Sequence, residues 1–179
     1  MIYVTSDLHL NHTNILKYET ESRPFGSLEE MNQTIINNWN SVVKNNDIVY
    51  VLGDFILGNP EYIYDFLNQL NGTIILIRGN HDTNSKIKLY QEYGIRVENI
   101  EYIPYKGLYF ILLHFPIVND EFFELLTQNN SECVLLYGHL HGLAPKGWYK
   151  NTYHVGIDTN NLTPISLEQI WLEIKENKK

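Results

Sequence analysis

The sequence predicts an α/β protein made of two stacked mixed sheets with helices outside them. Three observations carry that expectation. Five runs of strand length recur along the chain, at residues 2–4, 48–52, 73–77, 108–113 and 133–137, and they are almost wholly apolar. Such runs read as strands buried on both faces. Stretches with helical spacing separate the first three runs. The later runs follow one another through hairpin-like turns, which fits two mixed sheets better than one purely parallel sheet.

The run at 48–52 sets the pattern. Ile48, Val49, Tyr50, Val51 and Leu52 stop at Gly53, and Asp54 follows. A carboxylate just past the C-terminal end of a buried strand has a fixed position and an open side. α/β proteins place ligands there. The other runs repeat the arrangement. Residues 2–4 lead to Asp7 and His9, residues 73–77 to Asn80, His81 and Asp82, residues 108–113 to His114, and residues 133–137 to His139 and His141. The five ends are expected to converge on one site.

Between these runs the elements follow in order. Residues 11–18 suit a short helix, and a loop passes through Arg23, Pro24, Phe25 and Gly26. Ser27 and Glu30 have capping-box spacing. Leu28, Met31, Ile35, Trp39 and Val42 then recur at steps of three and four, predicting a helix to about residue 44 with Trp39 inward. Pro60 opens a second helix with Ile63, Phe66, Leu67 and Leu70 on one face and Asn71-Gly72 as its stop. Residues 85–93 form a short helix closed by Gly94. Extended pieces at 95–97 and 100–105 lead into a Lys106-Gly107 hairpin turn. Asn119 or Asp120 caps a helix through Leu126. A loop with Pro145, Gly147, Trp148 and Tyr149 precedes a last short strand at 153–157. Ser166 and Gln169 cap a final helix with Leu167, Ile170, Trp171 and Ile174 inward. Neither an internal repeat nor a linker interrupts the chain, so residues 1–179 are expected to form one domain without an inserted cap.

Bulk properties narrow the partners. The chain has 179 residues, 44% of them apolar, which suits one full core. Its net charge is 13 − 21 = −8, and that balance does not advertise a polyanion-binding groove. The lone Cys133 excludes an intrachain disulfide and reads as a small core residue. The apolar runs are far shorter than the ~20 residues of a membrane span, and the N-terminus enters a strand at once. A soluble, cytoplasmic protein without a membrane partner is expected.

Asp7, His9, Asp54, Asn80, His114, His139 and His141 make a mixed oxygen and nitrogen set of seven. One four-coordinate metal cannot use seven ligands, whereas two metals sharing a carboxylate can. The histidine content suits Mn, Fe, Zn, Ni or Co and disfavours Ca or Mg. Two divalent ions bring +4, the two aspartates −2 and a bridging hydroxide −1. The site stays near +1, which suits a phosphate oxygen. Two metals roughly 3.5–4 Å apart can hold hydroxide and clamp phosphoryl oxygens during in-line attack. His81 sits at the edge of this set, where it could stabilise transition-state charge or protonate the leaving oxygen.

Asp7-x-His9, Gly53-Asp54, Gly79-Asn80-His81-Asp82, His114 and Gly138-His139-x-His141, in that order, each after an expected strand, resemble the full signature of the calcineurin-like metallophosphoesterases. The resemblance implies a four-layer α/β/β/α sandwich of two mixed β-sheets flanked by helices, with a binuclear site. It places Asp7, His9 and His141 on one metal and Asn80, His114 and His139 on the other. Asp54 bridges and His81 is the catalytic histidine. Mn heads the metal candidates. The nearby His12, then Arg23-Pro24-Phe25 and the Glu-Glu-Met-Asn helix, are similar to a narrower group of small bacterial and phage members. In that group His12 and Arg23 rim the pocket, with Arg23 in reach of a phosphate oxygen. His154 departs from the Asn expected there in an Asn-Val-Gly-x-Asp segment. Protein phosphatases of the family continue Gly-Asp-x with Val-Asp-Arg-Gly; here Asp54 precedes Phe55-Ile56-Leu57-Gly58, which argues against a Ser/Thr protein phosphatase. The chain has three arginines, and a phosphomonoester dianion usually draws bidentate arginine, so phosphodiesters are favoured. The expected function is binuclear-metal hydrolysis of a small phosphate ester by metal-bridged hydroxide. The alternatives are a nuclease using Lys146, Trp148, Tyr149 and Lys150 as its track, and a non-catalytic scaffold of the same fold.

Overall fold

A computed structural model describes residues 1–117, 132–144, 148–149 and 151–177. The expected helix from Asn119 or Asp120 to Leu126 lies outside them.

The first sheet holds β1 (Ile2–Thr5), β2 (Ile48–Val51), β3 (Thr73–Ile77) and β4 (Arg96–Glu98), all parallel. The second holds β5 (Glu101–Tyr105), β6 (Leu108–Leu112), β7 (Cys133–Tyr137), β8 (Trp148–Tyr149) and β9 (Thr152–His154) in the order β5-β6-β7-β9-β8. Here β6, β7 and β9 run parallel, and β5 and β8 are antiparallel edges. A further strand, β10 (Ile165–Ser166), pairs antiparallel with β1 and completes the first sheet as β10-β1-β2-β3-β4. These are two mixed sheets flanked by helices, as predicted.

The strands are apolar on both faces because both faces are covered. In the first sheet Tyr3, Val49, Val51, Ile74 and Leu76 face the helix α2 (Leu28–Val42) and its neighbours, packing with Met31, Ile35 and Trp39. The alternate residues Val4, Tyr50, Leu52, Ile75 and Ile77 point between the sheets, toward Phe110, Leu112, Val134 and Leu136. Cys133 is a buried residue of β7, as expected.

The helix signals differ from the outcome in detail. The polar segment before the Arg23 loop contains only α1 (Ile15–Tyr18). The Oγ of Ser27 accepts the Glu30 N–H, but the Glu30 carboxylate turns to the N–H of Gly26, so half of the capping box forms. After Pro60 the chain makes one 3₁₀ turn and then only α3 (Ile63–Leu67). The N–H groups of Gln69 and Leu70 bond three residues back, to Phe66 and Leu67, and this tighter turn carries Leu70 into the core. α4 (Asn84–Tyr93) ends at Gly94, whose φ of 101° is a left-handed cap. Lys106 and Gly107 both have positive φ, as the hairpin between β5 and β6 requires. The strand β10 carries no signal of its own. It is two residues long, and its Ser166 caps α5 (Leu167–Asn177) through the Gln169 N–H. No helix among the described residues is long and apolar enough to cross a membrane.

Trp39 is fully buried and its indole N–H donates to the Asn71 carbonyl. Trp39→Ala is expected to cost about 3–5 kcal/mol in urea unfolding, whereas Tyr102→Ala at an exposed position should stay within about 0.5 kcal/mol.

Candidate metal centre

Parallel pairing puts the C-terminal ends of β1, β2 and β3 on one edge of their sheet, and those of β6 and β7 on one edge of theirs. Main-chain bonds continue the ladder past the strand ends. The N–H groups of Asp7, His9 and Leu10 donate to the carbonyls of Gly53, Asp54 and Phe55 at 3.0–3.1 Å. Across the sheets, the His139 N–H donates to Asp7 Oδ2 at 2.8 Å.

The loops pack without slack. A Cβ on Gly79 would stand 2.4 Å from Asp54 Oδ1, and one on Gly53 would stand 2.5 Å from His114 Nδ1. Asp7, His9, Asp54, His139 and His141 all have φ between 48° and 71°. Five non-glycine residues in the left-handed region, all at one site, are held there by the surrounding bonds.

Two clusters result. Ligand atoms of Asp7, His9 and His141 lie within 4.8 Å of one another, and so do those of Asp54, His114 and His139. Asp54 Oδ2 stands between the clusters, 3.7 Å from His9 Nε2 and 3.6 Å from His114 Nε2. His141 Nε2 is 4.0 Å from Asp7 Oδ1. Asn80 Oδ1 lies 2.8 Å from His114 Nε2. All seven residues singled out in the sequence are therefore brought together. His81 lies beside them with half of its side chain exposed, its N–H on Asp54 Oδ1 at 2.8 Å and its Nε2 4.0 Å from Asp54 Oδ2.

The histidine tautomers follow from their outer partners. His114 Nδ1–H donates to the Leu52 carbonyl and His141 Nδ1–H to Asp158 Oδ2, both at 2.8 Å. His9 Nδ1 meets His12 Nδ1 at 3.1 Å. For His114 and His141 the Nε2 lone pair therefore faces the cluster, the arrangement a metal-ligating imidazole needs. Asp7 Oδ1 and His9 Nε2 are buried with no hydrogen-bond partner among the described residues. Orphaned acceptors in a dry site fit a bound cation.

Charges are displaced accordingly. Burial pushes the Asp7 carboxyl up, against the opposing pull of His141, His114 and Ser6. Burial drives His9, His12 and His139 down. His141 is also buried, but its bond to Asp158 and the charge of Asp7 outweigh burial and raise it. Burial would raise Asp158, and His141 and Arg23 together hold it well below the usual carboxylate range.

Arg23 corrects an expectation. It is not at the rim in reach of a phosphate. It is 1% exposed, with Nε and Nη2 on the two oxygens of Asp158 at 2.7 and 2.9 Å. Its remaining donors hold the carbonyls of Leu8 and Asp7. Arg23 thus ties the β1 loop to the loop after β9. His12 lies half-buried beside His9, with its ring 6.5 Å from that of His81.

Three positioning residues had no role assigned from sequence. Asp158 orients His141. Asp82 accepts the N–H groups of Asp54 and Gly79, both at 2.9 Å, and so fixes the bridge position. Ser6 donates to Asp7 Oδ2 at 2.6 Å. Asp82 and Asp158 had a signal, since each closes a motif block, but nothing in their spacing says which group they face.

A family model described as calcineurin-like phosphoesterase matches residues 1–179. The chain is 38% identical to an uncharacterized protein of Methanocaldococcus jannaschii, over 99% of this chain and 93% of that one. It is 28% identical to the gene 66 protein of Mycobacterium phage L5, over 87% of this chain and 86% of that one. A crystal structure of an Aquifex aeolicus protein of unknown function superposes with a TM-score of 0.75 at 26% identity, covering 96% and 98% of the two chains.

His154 is buried with Nδ1 on Thr159 Oγ1, and burial pulls its pKa down to about 4. Between pH 4 and the ordinary value of 6.5 the unfolded imidazole binds a proton that the folded one does not. Stability from this residue is therefore complete above about pH 6.5 and declines as pH falls toward 4. In urea unfolding with chelator, His154→Asn should lessen the loss of stability between pH 7 and pH 5 by ~1–2 kcal/mol. An unchanged loss would mean that His154 titrates alike in both states.

Proposed function

Since the chain belongs to the calcineurin-like phosphoesterases, a family of metal-dependent hydrolases, we propose that it hydrolyses phosphodiesters in preference to monoesters with two divalent ions, Mn foremost. The observation that carries this reading is the placement of Asp54 Oδ2, 3.7 and 3.6 Å from a histidine of each cluster. Asp7, His9 and His141 would hold one ion, Asn80, His114 and His139 the other, and Asp54 both. Divalent ions there would supply Lewis-acid charge to phosphate oxygens and acidify a water molecule.

The chain's own residues do the rest. Asp54 is fixed by Asp82, by Gly79 and by the His81 N–H, so the two clusters keep a constant separation. Exposure of the His81 ring leaves its Nε2 able to meet substrate, and it donates the proton that the leaving oxygen requires. With His9 Nε2 on an ion, His9 Nδ1–H would donate to His12 Nδ1, 3.1 Å away, and His12 would hold that ring in place. The diester preference rests on the want of a guanidinium pair over the site: Arg23 is sealed inside and Arg96 is engaged with Glu98 and Glu101, which leaves Arg78 as a single guanidinium, beside the second cluster. The segment 146–150, which a nuclease would use as a track, lies outside the described residues except for the two residues of β8.

Asp54→Asn should strip metal from both clusters and abolish turnover. His81→Ala should retain metal, counted by atomic emission, while kcat falls roughly 10²–10⁴-fold. Equal metal loss in the two variants would contradict these roles. On the Mn-loaded protein, kcat/KM for bis(4-nitrophenyl) phosphate should exceed that for 4-nitrophenyl phosphate; the reverse order would sink the diester assignment.

A further inference from the structure

Beside the second cluster lies a groove of about 430 Å³ lined by Arg78, Asn80, Asn99, Leu113, His114 and Phe115. Its volume is that of a small-molecule site. Asn80 and His114 belong both to the groove and to the metal cluster, so a molecule in the groove abuts the place where a phosphate ester would react.

Two features of the groove are unused by the mechanism above. The first is a cation. Of the chain's three arginines, Arg23 is bound to Asp158 and Arg96 to Glu98 and Glu101. Arg78 has no carboxylate partner among the described residues, and its one side-chain hydrogen bond there goes to Asn84 Oδ1 at 2.9 Å. A guanidinium has five donors in a planar fork, so most of this one is free to meet an oxyanion. The second is an aromatic wall. Phe115 is 50% exposed and packs edge-on against His114 and His139, with ring centroids 4.8 and 4.7 Å away. Those contacts fix the ring while leaving part of its surface to the groove, and a planar ring can stack there.

We infer that this groove is a subsite for a nucleotide bearing a second phosphate, with the base against Phe115, the remote phosphate on Arg78 and the exposed Asn99 amide available to hydrogen-bond the base or sugar. The inference rests on the phosphoesterase reading and names its substrate class. A polynucleotide fits less well, because it needs several cations along its backbone and this groove supplies one in a chain of net charge −8.

The test is calorimetric titration of the Mn-loaded His81→Ala protein, slowed enough to leave the ligand intact. Adenosine 3′,5′-bisphosphate should bind roughly tenfold or more tightly than adenosine 5′-monophosphate, as a charge-assisted bidentate contact predicts. Adding Arg78→Gln should bring the two dissociation constants within about twofold of each other. Adding Phe115→Ala should weaken both nucleotides but leave ribose 5-phosphate unaffected. Equal affinities in the protein with Arg78 intact, or a preference that survives Arg78→Gln, would overturn the subsite. Diester turnover by the wild-type protein tests the metal-centre reading separately, so failure of one is told apart from failure of the other.

Discussion

Burying the Asp54 carboxylate is the constraint on which the strand ends depend. It is 2% exposed, one oxygen is held by the His81 N–H, and the other faces three imidazole nitrogens at 3.6–4.0 Å. Asp7 is buried alongside it. The two aspartates, ionised, bring −2 to a largely buried site. Such charge is costly unless it is compensated. Two divalent cations, as proposed above, would reverse the sign to +2, and an anionic ester would bring it back toward zero. On the proposed reading, the same two carboxylates would select first for metal and then, through the metal, for phosphate.

Much of this was legible in sequence because burial on both faces leaves a plain mark. The runs at 73–77 and 133–137 coincide with β3 and β7, since every position except the exposed Thr73 is buried, on both faces of each strand. The polar residues that end those runs are the ones that meet. Less was legible where an element is shorter than its own period. β8 and β10 have two residues each and owe their extended form to the strands they pair with. The helix after Pro60 was too long in sequence because Leu70 reaches the core through a 3₁₀ turn rather than another helical turn.

Arg23 shows the limit for side chains. Its sequence neighbourhood put it near the pocket, and it is near the pocket. What the sequence did not show was the pairing with Asp158, 135 residues away, which turns the guanidinium inward. Asp82 was read as part of a motif block for the same reason without its role: it caps backbone N–H groups of two different loops. Long-range polar partners leave no periodicity to detect.

The left-handed residues bear on how tightly the site is held. Asp7, His9, Asp54, His139 and His141 are neither glycine nor asparagine, and backbone strain at such residues costs about 1–3 kcal/mol each. A relaxed loop would swing their side chains away from one another. Four of them are pinned by their N–H groups, those of Asp7 and His9 on the β2 loop, that of Asp54 on Asp82 and that of His139 on Asp7, while His141 is held by its ring on Asp158. Close packing of Gly53 on Gly79 removes the remaining play. The strain is thus offset by folding, before any ion or ester arrives, and the ordering cost of binding is correspondingly reduced. Two clusters of potential ligands at fixed spacing are then a property of the backbone, and the outer partners of the imidazoles only have to set which nitrogen faces in.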